Sequence, residues 1–282
     1  MVLPRSLRLL ARLARARATL AYAVLVTGVA VALYTLGPKV ADQVIGHVST
    51  NLHNLRHGHF ATLLESAFVI DAGPIYVWLP GLVCLLGLAE LTWGSVRLVV
   101  AFATGHLGAT LLVAAGLTAA VKLGWLPVSV SRASDVGMSY GATAVLGSLT
   151  TALPRRWRPA WICWFLAAGV AVVAVSRDFT DAGHVVALAL GMVVSTRFGR
   201  PHDWTPARLV MLGVAAAFGY LVLASTEPVV GTAAGMAGAV IAESVRRAWS
   251  RRTAVRKVDV GSDVGLPAPE SNAREARSGH RL

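Results

Sequence analysis

Charge is scarce in this chain. Only 14% of its 282 residues are Asp, Glu, Lys or Arg, against about 25% in a soluble domain. With 55% hydrophobic residues and a mean hydropathy of +0.62, there is too little polar surface to clothe a water-soluble fold. Cysteine is nearly missing. Cys84 and Cys163 both sit inside apolar runs, which argues against a disulfide scaffold and a thiolate metal site. Lysine is rare beside arginine, and the net charge is +12. The basic residues fall between apolar runs rather than in one patch. They read as orientation signals, not as nucleic-acid contacts. The apolar runs are continuous and do not alternate, which excludes a β-barrel. No internal repeat is evident.

What is there is a series of long apolar runs. They cover 18–37, 74–94, 98–121, 136–153, 159–176, 182–196, 209–226 and 228–242. A bilayer-spanning helix needs roughly 20 apolar residues. The chain therefore reads as an all-α, polytopic transmembrane helix bundle with eight crossings. A ninth apolar piece, 59–70, is short and carries Glu65. It reads as an outer, interfacial or partly inserted helix.

The charges orient the bundle. With a cytoplasmic N-terminus and eight crossings, 21 of the 26 basic residues lie inside and five outside, as the positive-inside rule requires. This predicts a plasma-membrane protein with both termini cytoplasmic. Trp78, Trp93, Trp125, Trp157, Trp161 and Trp204 sit near run ends, as in an aromatic belt. Residues 1–17 place Arg5, Arg8, Arg12 and Arg15 along one helical stripe, suited to anionic lipid at the inner leaflet. No small-residue cleavage site follows, so the first run reads as an uncleaved anchor. The chain divides into this basic segment (1–17), a six-helix membrane core (18–198), two further transmembrane helices (199–245) and a basic tail (246–282) read as disordered.

Polar groups inside spans are costly and mark function by default. They are Glu90, His106, Ser139 with Tyr140, and His184, with His47, His53, His57 and His59 clustered before the second span. In the fourth span Gly137 and Gly141 make a small-xxx-small pair for helix packing, while Ser139 lies about 160° from Gly141. In the sixth, His184, Ala187 and Gly191 lie within about 60° of one another. Ser139 is four residues past Asp135 and His184 three past Asp181. Both therefore enter the membrane from the same side to a depth of roughly 5 Å. A serine hydroxyl is a weak nucleophile and needs an adjacent base, so the two together are candidate nucleophile and general base. No third carboxylate is evident at their depth, and the pair reads as a dyad.

This arrangement resembles the rhomboid family of intramembrane serine proteases, and more narrowly its divergent bacterial members. Their Gly-x-Ser-Gly is matched by Gly137-Met138-Ser139, with Tyr140 in place of the last glycine. Their Ala-His-x-x-Gly-x-x-x-Gly is matched by Gly183-His184 with Ala187 and Gly191. His59 fits the histidine of His-x-x-x-Asn, Leu63 replaces the asparagine, and Gly87, Glu90 and Gly94 fit the glycine–glutamate cluster after an insertion of about 15 residues around 60–75. The resemblance covers roughly 18–198. It implies a rhomboid-like six-helix core plus two C-terminal helices, catalysis by Ser139 and His184 on transmembrane segments of partner proteins, and no cofactor or metal. His59 and Gly137 would serve the oxyanion, Gly141, Ala187 and Gly191 the packing near the site, and Glu90 a structural contact. Leu63 cannot donate to an oxyanion, which leaves Asn51 or Asn54 as substitutes, and Tyr140 adds bulk beside the nucleophile.

Three other readings stand beside this one. A catalytically inactive rhomboid fold would bind transmembrane helices without cutting them. A small transporter would use His106, flanked by Gly105 and Gly108, but lacks the usual repeat. A metal site would draw on His53, His57, His59 and Glu65, without a zinc signature.

Overall fold

The structure is a computed structural model that describes residues 14–52, 54, 57–59, 61–69, 75–132, 137–199 and 204–263. The basic stripe expected over 1–17 lies almost wholly outside these residues. Ten α-helices are described: α1 (Arg17–Leu36), α2 (Pro38–Val48), α3 (Thr62–Glu65), α4 (Ile75–Trp93), α5 (Ser95–Lys122), α6 (Ser139–Ser148), α7 (Arg158–Ser176), α8 (Phe179–Ser195), α9 (Pro206–Leu223) and α10 (Pro228–Asp263). Short 3-10 turns follow α3 and α6, and a third lies at Val128–Arg132.

Among the described residues, six helices are long and apolar enough to cross a membrane: α1, α4, α5, α7, α9 and the Pro228–Ser250 part of α10. Their outward faces are apolar too. Val24, Tyr76, Val96, Val175, Val210 and Val240, one from each, are all more than half exposed. Apolar side chains fully open on so many helices fit a lipid solvent, not water. This is an integral membrane protein.

The eight expected crossings are modified in two places. The run 136–153 is helical only from Ser139, as ten α residues and the 3-10 turn Leu149–Thr151. That is roughly 20 Å of helix, short of the 30 Å hydrocarbon core. Gly137, at φ 122°, sits outside helical space, and Pro154 follows the end. Nearly every residue of α6 is buried, so neighbouring helices, not lipid, surround it. The sixth run, α8, has 17 residues and buries one face, with Asp181, His184, Ala187, Leu188 and Gly191 on it.

Two further differences lie outside the spans. The stretch after the first run forms α2, an 11-residue helix with Pro38 in its first turn, and 59–70 resolves into the short α3 and a 3-10 turn. The tail read as disordered from 246 is helical to Asp263, while 264–282 lie outside the described residues. By contacts the chain forms two units, Met1–Ala242 and Glu243–Leu282. In the second, Glu243 binds Arg246 and Arg247 one turn on.

Glycines let α6 sit between α5 and α8. A Cβ on Gly105 of α5 would strike the Ala144 methyl group. One on Gly147 would strike the Leu188 carbonyl, and one on Gly191 the Ala144 carbonyl. Backbones this close gain dispersion contacts where no hydrophobic force acts between helices. Around this seam Leu85, Leu88, Leu146, Leu149, Phe165, Leu188 and Phe218 form the core.

Glu90 fastens α1 to the α4–α5 corner. It is 2% exposed. Its Oε1 accepts from Ala18 N–H at 2.9 Å and Ser95 Oγ at 2.6 Å. Its Oε2 accepts from Thr19 N–H at 2.8 Å and Thr19 Oγ1 at 2.7 Å. The first N–H groups of a helix lack intrahelical acceptors, and α1 has no side-chain cap of its own. A carboxylate there satisfies them and complements the helix dipole. The corner turns on a single residue, Gly94, at φ 85°, a conformation that costs any other residue.

Candidate active site

The site starts at the first turn of α6. Its N-cap position, Met138, offers no side-chain acceptor, and the first backbone bond back into the turn runs from Ala142 N–H to Met138 O. Among the described residues, the Ser139 N–H has no acceptor. Ser139 is half-buried, and its carbonyl accepts from Thr143 Oγ1 at 2.6 Å. The serine thus carries its hydroxyl beside an N–H that has no acceptor among the described residues, at the positive end of a helix, which favours a developing anion.

Tyr140 fixes the level of this turn. It is 2% exposed, and its ring lies edge-on to the His184 ring with centroids 5.3 Å apart. The same ring covers Gly183 so closely that any Cβ there would strike it. Bulk at 140 is thus matched by its absence at 183. The neighbours of Ser139 and of His184 touch, so both residues occupy one level of two packed helices.

His184 is 5% exposed, and neither ring nitrogen has a hydrogen-bond partner among the described residues. A buried polar atom left unpaired costs roughly 1–3 kcal/mol, and such exceptions call for an explanation. The Ser139 hydroxyl is not bonded to it. The nearest charge is Asp181, one turn earlier, whose Oδ1 is 3.9 Å from His184 Nδ1. That is a charge contact, too long for a hydrogen bond. Asp181 is a carboxylate beside His184, which the sequence pattern did not single out. Its spacing, three residues before the histidine, was the available signal.

The auxiliary residues fall elsewhere. His59 is exposed, and its ring faces His47 at 6.1 Å. Among the described residues no bond or ring contact joins His59 to Ser139 or His184. The reason is the insertion: His59 lies before α3 and Leu63 within it, in a separate segment ahead of α4. The Gly137 N–H donates to Ser66 O at 3.0 Å, so it is committed to a loop contact and not open to an oxyanion. Gly141 packs under the Phe102 ring of α5, whereas Ala187 and Gly191 line the α6–α8 seam. Asn54 is spent on the end of α2. Its Nδ2 donates to the Gly46, His47 and Ser49 carbonyls.

A second serine–histidine pair appears that the sequence did not single out. His106 Nε2 lies 3.3 Å from Ser66 Oγ and 3.0 Å from Leu63 O. A carbonyl can only accept, so Nε2 carries the proton and cannot take one from Ser66. The contact stitches the α3 segment to α5. Tyr22 helps, its Oη donating to Ala67 O at 2.5 Å. An apolar cavity of about 270 Å³ lies beside it, lined by Tyr22, Phe68, Phe102 and His106 among others, but not by Ser139 or His184. His53 lies outside the described residues.

The family model described as rhomboid-like protein matches residues 12–198. This chain belongs to the rhomboid-like protein family. Comparison with curated proteins and with solved structures gives no match. The matched stretch of this rhomboid-like protein takes in α1 to α8, and with them Glu90, Ser139, Asp181 and His184. It ends before α9 and α10.

Proposed function

We propose that this rhomboid-like protein is an intramembrane serine endopeptidase of the plasma membrane, with both termini cytoplasmic, that cuts a transmembrane segment of a partner protein near the outer face. Anionic lipid at the inner leaflet would pair with its basic segments. The observation that supports this best is His184. It is a buried imidazole with both nitrogens unpaired among the described residues, level with a serine at an uncapped helix start.

In this reading His184 takes the Ser139 hydroxyl proton as Oγ bonds to the scissile carbonyl carbon. The Ser139 N–H receives the oxyanion. The carbon–nitrogen bond then breaks, and His184 returns the proton to the leaving amine. Water attacks the acyl-serine, giving its proton to His184. The carboxyl product leaves, and the proton returns to Ser139. Catalytic contacts are often long before substrate binds, and in this reading the Ser139–His184 hydrogen bond forms when substrate binds. The substrate helix must unwind at the cut, because its carbonyls are otherwise bonded within the helix.

A second reading is favoured by one observation. The Tyr140 ring occupies the space between the two helices, and no Ser139–His184 bond is formed. An inactive rhomboid fold that binds transmembrane helices has the same features. Proteoliposomes holding a model transmembrane substrate with small or helix-breaking residues near its outer end separate the two. Cleavage lost with Ser139→Ala and with His184→Ala supports the protease. No cleavage by wild type or by Tyr140→Gly supports the binder.

A further inference from the structure

The two C-terminal helices lie outside the stretch that the family model matches, yet they reach the site. Asp181 is 4% exposed. Its Oδ2 accepts from Thr226 Oγ1 at 2.9 Å, while its Oδ1 faces His184 Nδ1 at 3.9 Å. Thr226 lies in the turn joining α9 to α10. The turn is itself anchored: Tyr220 Oη donates to Pro228 O at 2.7 Å and meets Thr232 Oγ1 at 2.6 Å. The other carboxylate of this helix end, Asp178, is occupied in capping the Thr180 N–H at 2.7 Å.

From this we infer that Asp181 is a positioning residue for His184, held in place by Thr226, so that the α9–α10 turn completes a serine–histidine–aspartate arrangement. The inference rests on the protease reading. A carboxylate at Nδ1 has two effects on an imidazole. It draws the proton to Nδ1, which leaves the Nε2 lone pair for the serine, and it stabilises the imidazolium formed when the serine proton transfers. Closing 3.9 Å to hydrogen-bond length requires a shift of about 1 Å. A buried carboxylate needs partners to fix it; the Thr226 hydroxyl is one, and the Ser176 hydroxyl is another. The Asp181–Thr226 pair thus makes the turn beyond the family core part of the site's machinery.

The test uses the full chain in lipid nanodiscs, with a fluorophosphonate probe and histidine-selective ¹⁵N labelling. The probe reacts when Ser139 Oγ bonds to phosphorus, fluoride leaves and His184 accepts the hydroxyl proton. Asp181→Asn should slow labelling of Ser139 by roughly tenfold or more and shift the ¹⁵N pattern of His184 away from the Nδ1–H tautomer. Thr226→Val should slow it several-fold and shift the His184 ¹⁵N pattern in the same direction as Asp181→Asn, which a merely structural contact would not do, and Thr226→Ser should restore both. Should Asp181→Asn fail to fold, the two Thr226 variants decide alone. Labelling of all variants at the wild-type rate overturns the inference. If wild type does not label at all, the protease reading falls and the tautomer decides. A His184 pattern altered by Asp181→Asn still supports the positioning role, and an unaltered pattern overturns it.

Discussion

Replacing Glu90 by glutamine changes one atom and should destabilise the protein measurably. Each carboxylate oxygen accepts one backbone N–H and one hydroxyl. Glutamine keeps one such oxygen and sets an NH₂ against the other two donors. The Ser95 or Thr19 hydroxyl can turn to accept from it, but the N–H of Ala18 or Thr19 cannot. One buried backbone N–H is orphaned, at about 1–3 kcal/mol, and the remaining bonds lose their charge assistance, at about 1 kcal/mol. The total is about 2–4 kcal/mol. At roughly 2–4 °C per kcal/mol for a chain of this size, Tm should fall by about 4–16 °C. Thermal unfolding in detergent micelles, followed by fluorescence-detected size exclusion, reads this directly. Glu90→Ala should fall further, since both N–H groups are then left bare. A Glu90→Gln protein within about 1 °C of wild type would refute the argument that this carboxylate caps α1.

Two packing predictions follow from the glycine seam. Gly183→Ala should cost about 1–3 kcal/mol through collision with the Tyr140 ring, and Tyr140→Ala should relieve most of that cost in a double-mutant cycle of thermal stability. Gly191→Ala meets a backbone carbonyl, not a movable side chain, so it should lower folded yield and stability more than Gly183→Ala does, with no single side-chain substitution rescuing it.

The helical membrane architecture was legible because apolar run length is a one-dimensional property. Where it misled, the cause was three-dimensional. The run around Ser139 is as apolar as a span, but its helix is shortened by Gly137 and shielded by α5 and α8. The amphipathic α2 gave no signal of this kind, because polar residues interrupt its apolar face and no long apolar run results. At the site, the spacing from each polar flank anticipated that Ser139 and His184 approach one level, since depth along a helix follows from counting residues. The His-x-x-x-Asn alignment placed His59 by order along the chain, but an insertion lets order persist while position changes. Asp181 was treated as a depth marker, because three residues of separation also make a helical neighbour and the sequence alone does not say which way it turns. Thr226 was out of reach: 45 residues separate it from Asp181, and only the fold brings a turn of the C-terminal pair to that carboxylate.

The central claim is that Ser139 is a nucleophile activated by His184. It is tested most directly by treating the full-length protein with a fluorophosphonate and identifying the modified residue by peptide mass spectrometry. Modification at Ser139 in the wild-type protein, lost in His184→Ala although that variant remains folded, is the expected result. Absence of adduct at Ser139, or an adduct that forms equally well without His184, would contradict it.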